Sequence, residues 1–103
     1  MKAINKGEYG IKVYVDFEED VSSSTSYSIT LKDPKGNEFE KTAALGSSTL
    51  TDTDIGTLSA NEYVYYELAL GDIDEAGRWQ VRGQAEGGGK LRKTNWLPVV
   101  VKA

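Results

Sequence analysis

The groups able to do chemistry in this chain are carboxylates, a few cations and aromatic rings, because its 103 residues include neither cysteine nor histidine. That removes thiolate nucleophiles, the usual zinc ligands and the side chain that most easily moves protons near neutral pH. Hydrolase and metalloenzyme chemistry is not expected, and no residue is nominated as catalytic. Asp72, Asp74 and Glu75 ahead of Gly77 open like a calcium loop, but Ala76 and Gly83 stand where an EF-hand needs a ligand and its bidentate carboxylate. They read instead as a corner whose carboxylates accept backbone N–H bonds. Gly87-Gly88-Gly89-Lys90 has Gln84 in place of the leading glycine of a phosphate loop and Leu91 in place of its Ser or Thr. It reads as a hairpin tip. Asp16, Glu18, Glu19 and Asp20 could hold a hard cation or act as paired carboxylates, yet no neighbour is identifiable that would split their pKa values. A solvated loop is the plainer reading, and no metal or cofactor is expected.

Binding is what remains. Arg78 and Arg82 lie four apart on an alternating segment and so share an outer face, with Lys90, Arg92 and Lys93 expected on the returning strand nearby. This basic patch could dock an acidic partner or phosphate, although cross-strand pairing is the plainer use of such charges. Alternation also places Tyr14, Tyr63, Tyr65 and Trp96 outside the core. Exposed aromatics serve protein interfaces and carbohydrate platforms alike. The candidate binding residues are therefore Tyr14, Tyr63, Tyr65, Trp96, Arg78, Arg82 and Arg92.

These side chains need a scaffold, and length suggests one domain spanning 1–103: folding such a chain buries roughly two thirds of its extended surface. Twelve basic against sixteen acidic residues leave a net charge of −4, which opposes broad contact with phosphate backbones or anionic lipid. Nucleic acid is not an expected partner. The longest apolar run, Leu97 to Val101, includes Pro98 and falls far short of the about twenty residues of a membrane helix, so no membrane association is expected. The N-terminal segment carries charges where an export signal needs its apolar centre.

The strongest structural signal is Arg78 to Glu86, where Arg78, Gln80, Arg82, Gln84 and Glu86 alternate with Trp79, Val81, Gly83 and Ala85. That period of two predicts a strand with one face on a core. Alternation predicts two more, from about Gly10 to Phe17 and from Ser26 to Lys32, the latter ended by Asp33-Pro34-Lys35-Gly36. Asn37 to Ala43 should return as a hairpin partner with Phe39 facing inward. Gly46 to Ala60 suits short edge strands and loops, and Glu62 to Leu70 is a strand dense in aromatics. Lys90 to Lys102 closes the chain as one strand, with Pro98 at an edge or bulge because it cannot donate to a ladder. About seven short strands without an amphipathic helix predict an all-β, immunoglobulin-like antiparallel β-sandwich, with Trp79, Val81, Ile29, Leu31, Val13 and Val15 at its centre.

The order of these features, KGEYGIKVYVDF, then LKDPKGNEFE, then LALGDIDEAGRWQVRGQAE and a valine-rich end, resembles small immunoglobulin-like proteins of tailed phages. It is similar in particular to the N-terminal domain of phage baseplate upper proteins, in which a strand ends in Pro-x-Gly and an acidic turn leads into Gly-x-Trp. Pro34, Gly36, Gly77 and Trp79 carry the likeness, and Gly46 to Ala60 lies outside it. The resemblance implies a non-catalytic virion structural or assembly protein of the tail, baseplate or head–tail region. Its partners would be other phage structural proteins, further copies of itself among them, in the virion or in the host cytoplasm during assembly. Because those relatives continue into further domains, a standalone accessory or connector is the form expected here. The rival expectation is a carbohydrate-binding β-sandwich module that uses the exposed aromatics.

Overall fold

A computed structural model describes residues 3–52 and 55–103. It is all-β, with eleven strands among the described residues: β1 (Ile4–Asn5), β2 (Lys12–Asp16), β3 (Ser26–Lys32), β4 (Glu38–Thr42), β5 (Ala44–Leu45), β6 (Leu50–Asp52), β7 (Gly56–Leu58), β8 (Tyr63–Glu67), β9 (Gly77–Gly87), β10 (Lys90–Lys93) and β11 (Leu97–Lys102). A six-stranded mixed sheet runs β1-β11-β9-β3-β4, with β10 also on β9. The second sheet is β2-β8-β5, and β6 and β7 form a separate hairpin. The count exceeds the expected seven because β1, β5, β6 and β7 are only two or three residues long and the closing segment divides into β10 and β11. Nor is the pairing wholly antiparallel: β1 lies parallel to β11.

The long strand β9 organises the molecule. Its Trp79, Val81 and Ala85 are buried, as are Ile29 and Leu31 of β3, which stand opposite Gly83 and Val81. Val13 and Val15 of β2 and Val64 of β8 close over them, so the three-stranded sheet covers the inner face of the larger one. All six residues expected at the centre belong to this cluster. The outer face keeps Arg78, Gln80, Arg82, Gln84 and Glu86, as an uninterrupted period of two requires.

The four motif positions form one corner. Asp33 Oδ1 accepts the backbone N–H groups of Lys35 and Asn37 at 3.0 and 2.8 Å, which fixes the turn around Pro34 and Gly36. The tip of that turn rests on Gly77. There φ is +135°, and an added Cβ would lie 2.8 Å from Pro34 Cγ, so only glycine fits without displacing the turn. Two residues on, the Trp79 indole N–H donates to the Glu75 carbonyl at 2.8 Å, tying the acidic corner to the core.

Phe39 departs from expectation: it is 45% exposed. Its register opposite Leu31 does put it on the inner side of the sheet. However, β4 is the last strand of that sheet, and in place of a facing strand the ring borders a hollow lined by Leu31, Lys41, Gly71, Asp72 and Asp74, which leaves it half exposed. Pro98 sits where its chemistry allows. It pairs with Gln80 on one side, and β1 reaches only Val101 and Lys102 on the other, so no ladder bond is lost.

Candidate functional site

The nominated residues fall into separate groups. On the outer face of the large sheet, the Trp96 ring centroid lies 4.4 Å from the Arg82 guanidinium carbon and 4.8 Å from Lys32 Nζ. A bulge creates this arrangement: between Lys93 opposite Gln84 and Leu97 opposite Val81, two residues of β9 face three of the return segment. Thr94 holds the bulge, its N–H donating to the Gly83 carbonyl at 3.0 Å and its Oγ1 accepting the Gly83 N–H at 3.0 Å. Trp96 is thereby turned out under two cations, contacts worth about 0.5–1 kcal/mol each at an exposed site. Arg78 is exposed on the same face.

Arg92 does not join them. It stands opposite Ala85, whose side is the inner one, and its Nε lies 3.1 Å from Glu19 Oε1. The single basic patch expected from the sequence is therefore divided between two faces, because alternation along β10 sends Arg92 and Lys93 to opposite sides.

The tyrosines occupy the opposite side of the molecule, on the outer face of the small sheet. Tyr14 stands across from Tyr65, with ring centroids 6.2 Å apart, and Tyr63 is 6.1 Å from Tyr14. Lys12 Nζ lies 5.3 Å from the Tyr65 centroid. Tyr63, expected outside the core, is 4% exposed. Its ring points outward as alternation requires, but the segment at Gly46 to Ser48 covers it, and its hydroxyl donates to the Ser48 carbonyl at 2.8 Å. Tyr14, Tyr65 and Trp96 thus make no common platform.

Asp16, Glu19, Asp20, Asp33 and Asp72 are engaged in turns and pairs. Asp16 Oδ1 accepts from the Glu18 N–H and Asp20 Oδ1 from the Ser22 N–H, each at 2.8 Å. Hydrogen bonds from the Ser22 side chain and backbone lower the Asp20 pKa, and the Asn37 side chain does the same for Asp33. At the acidic corner Asp72 accepts from the Tyr66 hydroxyl and, at 2.8 Å, from the Ala69 N–H; Lys41 Nζ lies 3.2 Å from its other oxygen. Burial raises the Asp72 pKa, but the bonds from Tyr66, Ala69 and Lys41 together outweigh it and leave a net lowering. Among the described residues no three such groups converge as metal ligands would.

Burial, then the hydrogen bond to Asp72 and its charge, push the Tyr66 hydroxyl up from 10.0 to about 12. The protonated phenol therefore favours the fold, with its stabilisation intact below pH 10 and lost as the pH climbs through about 12. Asp72 works in the other direction: its contribution is intact above its ordinary value of 3.8 and is lost as the pH falls below it. Tyr66→Phe should cost about 1–2 kcal/mol at neutral pH. In thermal melts, the gap between wild type and variant should close between pH 10 and 12; a constant gap would show that Tyr66 does not titrate against Asp72.

Docking through an edge strand is an expectation the sequence supports, but the sequence does not identify which strands form the edges of the large sheet. At β4, the Ala43 N–H donates to the Tyr27 carbonyl and the Asp33 N–H to the Asn37 carbonyl, which assigns the odd-numbered positions to the β3 ladder. The N–H and C=O groups of Glu38, Glu40 and Thr42 therefore face outward from the edge, and their side chains share the outer face. Glu38 and Glu40 are exposed and stand in no ion pair among the described residues. At the other edge, the Thr94 bond to Gly83 assigns Lys90 and Arg92 to the β9 ladder, so Leu91 and Lys93 present their backbone groups outward. All four β10 residues are exposed. The signal was present in the strings EFEKT and KLRK, but only the strand order reveals both as open edges of one sheet. The chain matches no protein-family model, no curated protein and no solved structure.

Proposed function

We propose that this chain is a non-catalytic docking module with an immunoglobulin-like sandwich layout, acting as a structural or assembly protein of a tailed phage in the tail, baseplate or head–tail region. The observation that carries the docking function is the pair of open strand edges on the large sheet, acidic at β4 and basic at β10. An unpaired edge offers a row of main-chain donors and acceptors to an incoming strand, while flanking charges select the partner. The sandwich layout is supported by two sheets closing on one core and by a chain that passes repeatedly between them. The phage setting is supported by the segment order around Pro34, Gly36, Gly77 and Trp79. Its location would be the virion, or the host cytoplasm during assembly.

An affinity-tagged chain produced during infection should sediment with particles or their subassemblies and be found there by mass spectrometry. Recovery only as free protein, with no phage protein retained, would remove the proposal. The carbohydrate alternative draws on the Trp96 ring, but two cations already cover that ring and the tyrosines lie on the far side. Titration with oligosaccharides should leave tryptophan fluorescence unchanged; a saturable shift abolished by Trp96→Ala would favour the alternative.

A further inference from the structure

We propose that copies of this chain associate head to tail by strand addition, β4 of one molecule joining β10 of the next so that the large sheet continues across the joint. The proposal rests on the docking function above and names a second copy as the partner. Three independent features of the two edges agree. The first is direction: β4 runs parallel to β9 and β10 antiparallel to it, so a copy placed beside another in the same orientation brings the two edges together as an antiparallel pair.

The second is pleat. Residues directly opposite in an antiparallel pair share a face, and the outward-bonding residues of both edges, Glu38 and Glu40 on β4 and Leu91 and Lys93 on β10, all carry their side chains on the outer face. No flip of either molecule is needed.

The third is charge. Lys93 opposite Glu38 sets Leu91 opposite Glu40, with Glu40 diagonal to Lys93 and within reach of its ammonium group. On the inner side the same register lays Arg92 against the exposed ring of Phe39. Lys90 then falls opposite Lys41, whose charge Asp72 already balances. Like-with-like joints are opposed: two β4 edges set Glu40 against Glu40 or Glu38, and two β10 edges bring Lys93 and Lys90 of both copies together, Arg92 being balanced by Glu19. Opposite edges therefore favour each other over themselves. Such a contact is heterologous, so it closes into a ring or extends as a filament rather than stopping at a dimer. One joint of four residue pairs is weak, and association should rise steeply with concentration and fall with salt.

Sedimentation velocity tests this with the whole chain. Wild type should shift to faster species as concentration rises. Glu38→Lys/Glu40→Lys, which makes both edges basic, and Lys90→Glu/Arg92→Glu/Lys93→Glu, which makes both acidic, should each weaken association at least ~10-fold alone. Mixing the two should restore it, because each then supplies the edge the other lacks. All five positions are exposed, and retained near-ultraviolet dichroism of the buried Trp79 would report intact folds. Should a charge variant fail to fold, Glu40→Pro removes one outward N–H without touching the β3 ladder and should also suppress association. A wild type that stays monomeric up to ~1 mM, or charge variants that assemble like wild type, would overturn the proposal. A monomer that still sediments with particles would overturn self-association alone and leave the docking function standing.

Discussion

Trp79→Ala should destabilise the protein by about 3–5 kcal/mol and lower its melting temperature by roughly 15–30 °C. The indole is 1% exposed, the largest of the fully buried side chains, and sits at the middle of the large sheet with Val99 opposite and Val81 two residues along the same face. Truncation removes its apolar surface and leaves a void between sheets whose backbones are fixed by their ladders, so collapse can recover little of the loss. It also orphans the Glu75 carbonyl, which now accepts the indole N–H at 2.8 Å. A domain of this size has a total stability of about 5–15 kcal/mol, so the variant should keep only a part of it. Trp79→Phe separates the two effects by filling most of the volume without a donor, and should cost about 1–2 kcal/mol. Chemical denaturation followed by circular dichroism measures both. Melting of Trp79→Ala at the wild-type temperature would mean that the indole is not inside. Trp96, the only other tryptophan, would report the surface cluster in that variant.

The parts of the fold that were legible in the sequence were those governed by local alternation. β2, β3 and β9 announce their buried faces in every second residue, and the turn after β3 announces itself in Asp33-Pro34-Lys35-Gly36. What alternation cannot show is whether a second layer extends over a given residue. Phe39 has the parity of a core residue and is half exposed beside a hollow, whereas Tyr63 has the parity of a surface residue and lies beneath a cover. The return segment was illegible for a different reason. The bulge at Thr94 to Trp96 shifts the period by one residue, and the run Val99-Val100-Val101 reads equally well in either phase. The same shift decides the candidate site, because it turns Trp96 toward Arg82 and Lys32 while Arg92 goes to the other face. The edge charges lay in plain view, but the fact that β4 and β10 terminate opposite sides of one sheet is a property of strand order.

Gly46→Ala should be among the most damaging single-methyl additions in the chain, costing about 2–4 kcal/mol as the sum of overpacking and one lost hydrogen bond. The Tyr63 ring lies against the backbone at this position, and an added Cβ would stand 2.0 Å from its Cζ. Neither side can yield easily. Gly46 is fixed by its N–H bond to the Tyr63 carbonyl at 2.9 Å and by the Asn61 N–H, which donates to its carbonyl at 2.7 Å. Tyr63 is fixed by the hydroxyl bond to Ser48 and flanked by the Tyr14 ring. The methyl should therefore expel the ring, exposing Tyr63 beside Tyr14 and Tyr65 and releasing the segment that covers it. A double-mutant cycle identifies the clash: in a Tyr63→Ala background Gly46→Ala should cost well under ~1 kcal/mol, so the coupling should equal most of its cost in the wild type. Equal costs in both backgrounds would place the 46–48 segment away from the ring. Tyr63 would then belong to the exposed surface that alternation first assigned to it, and the aromatic face of the small sheet would be one ring larger than the structure gives.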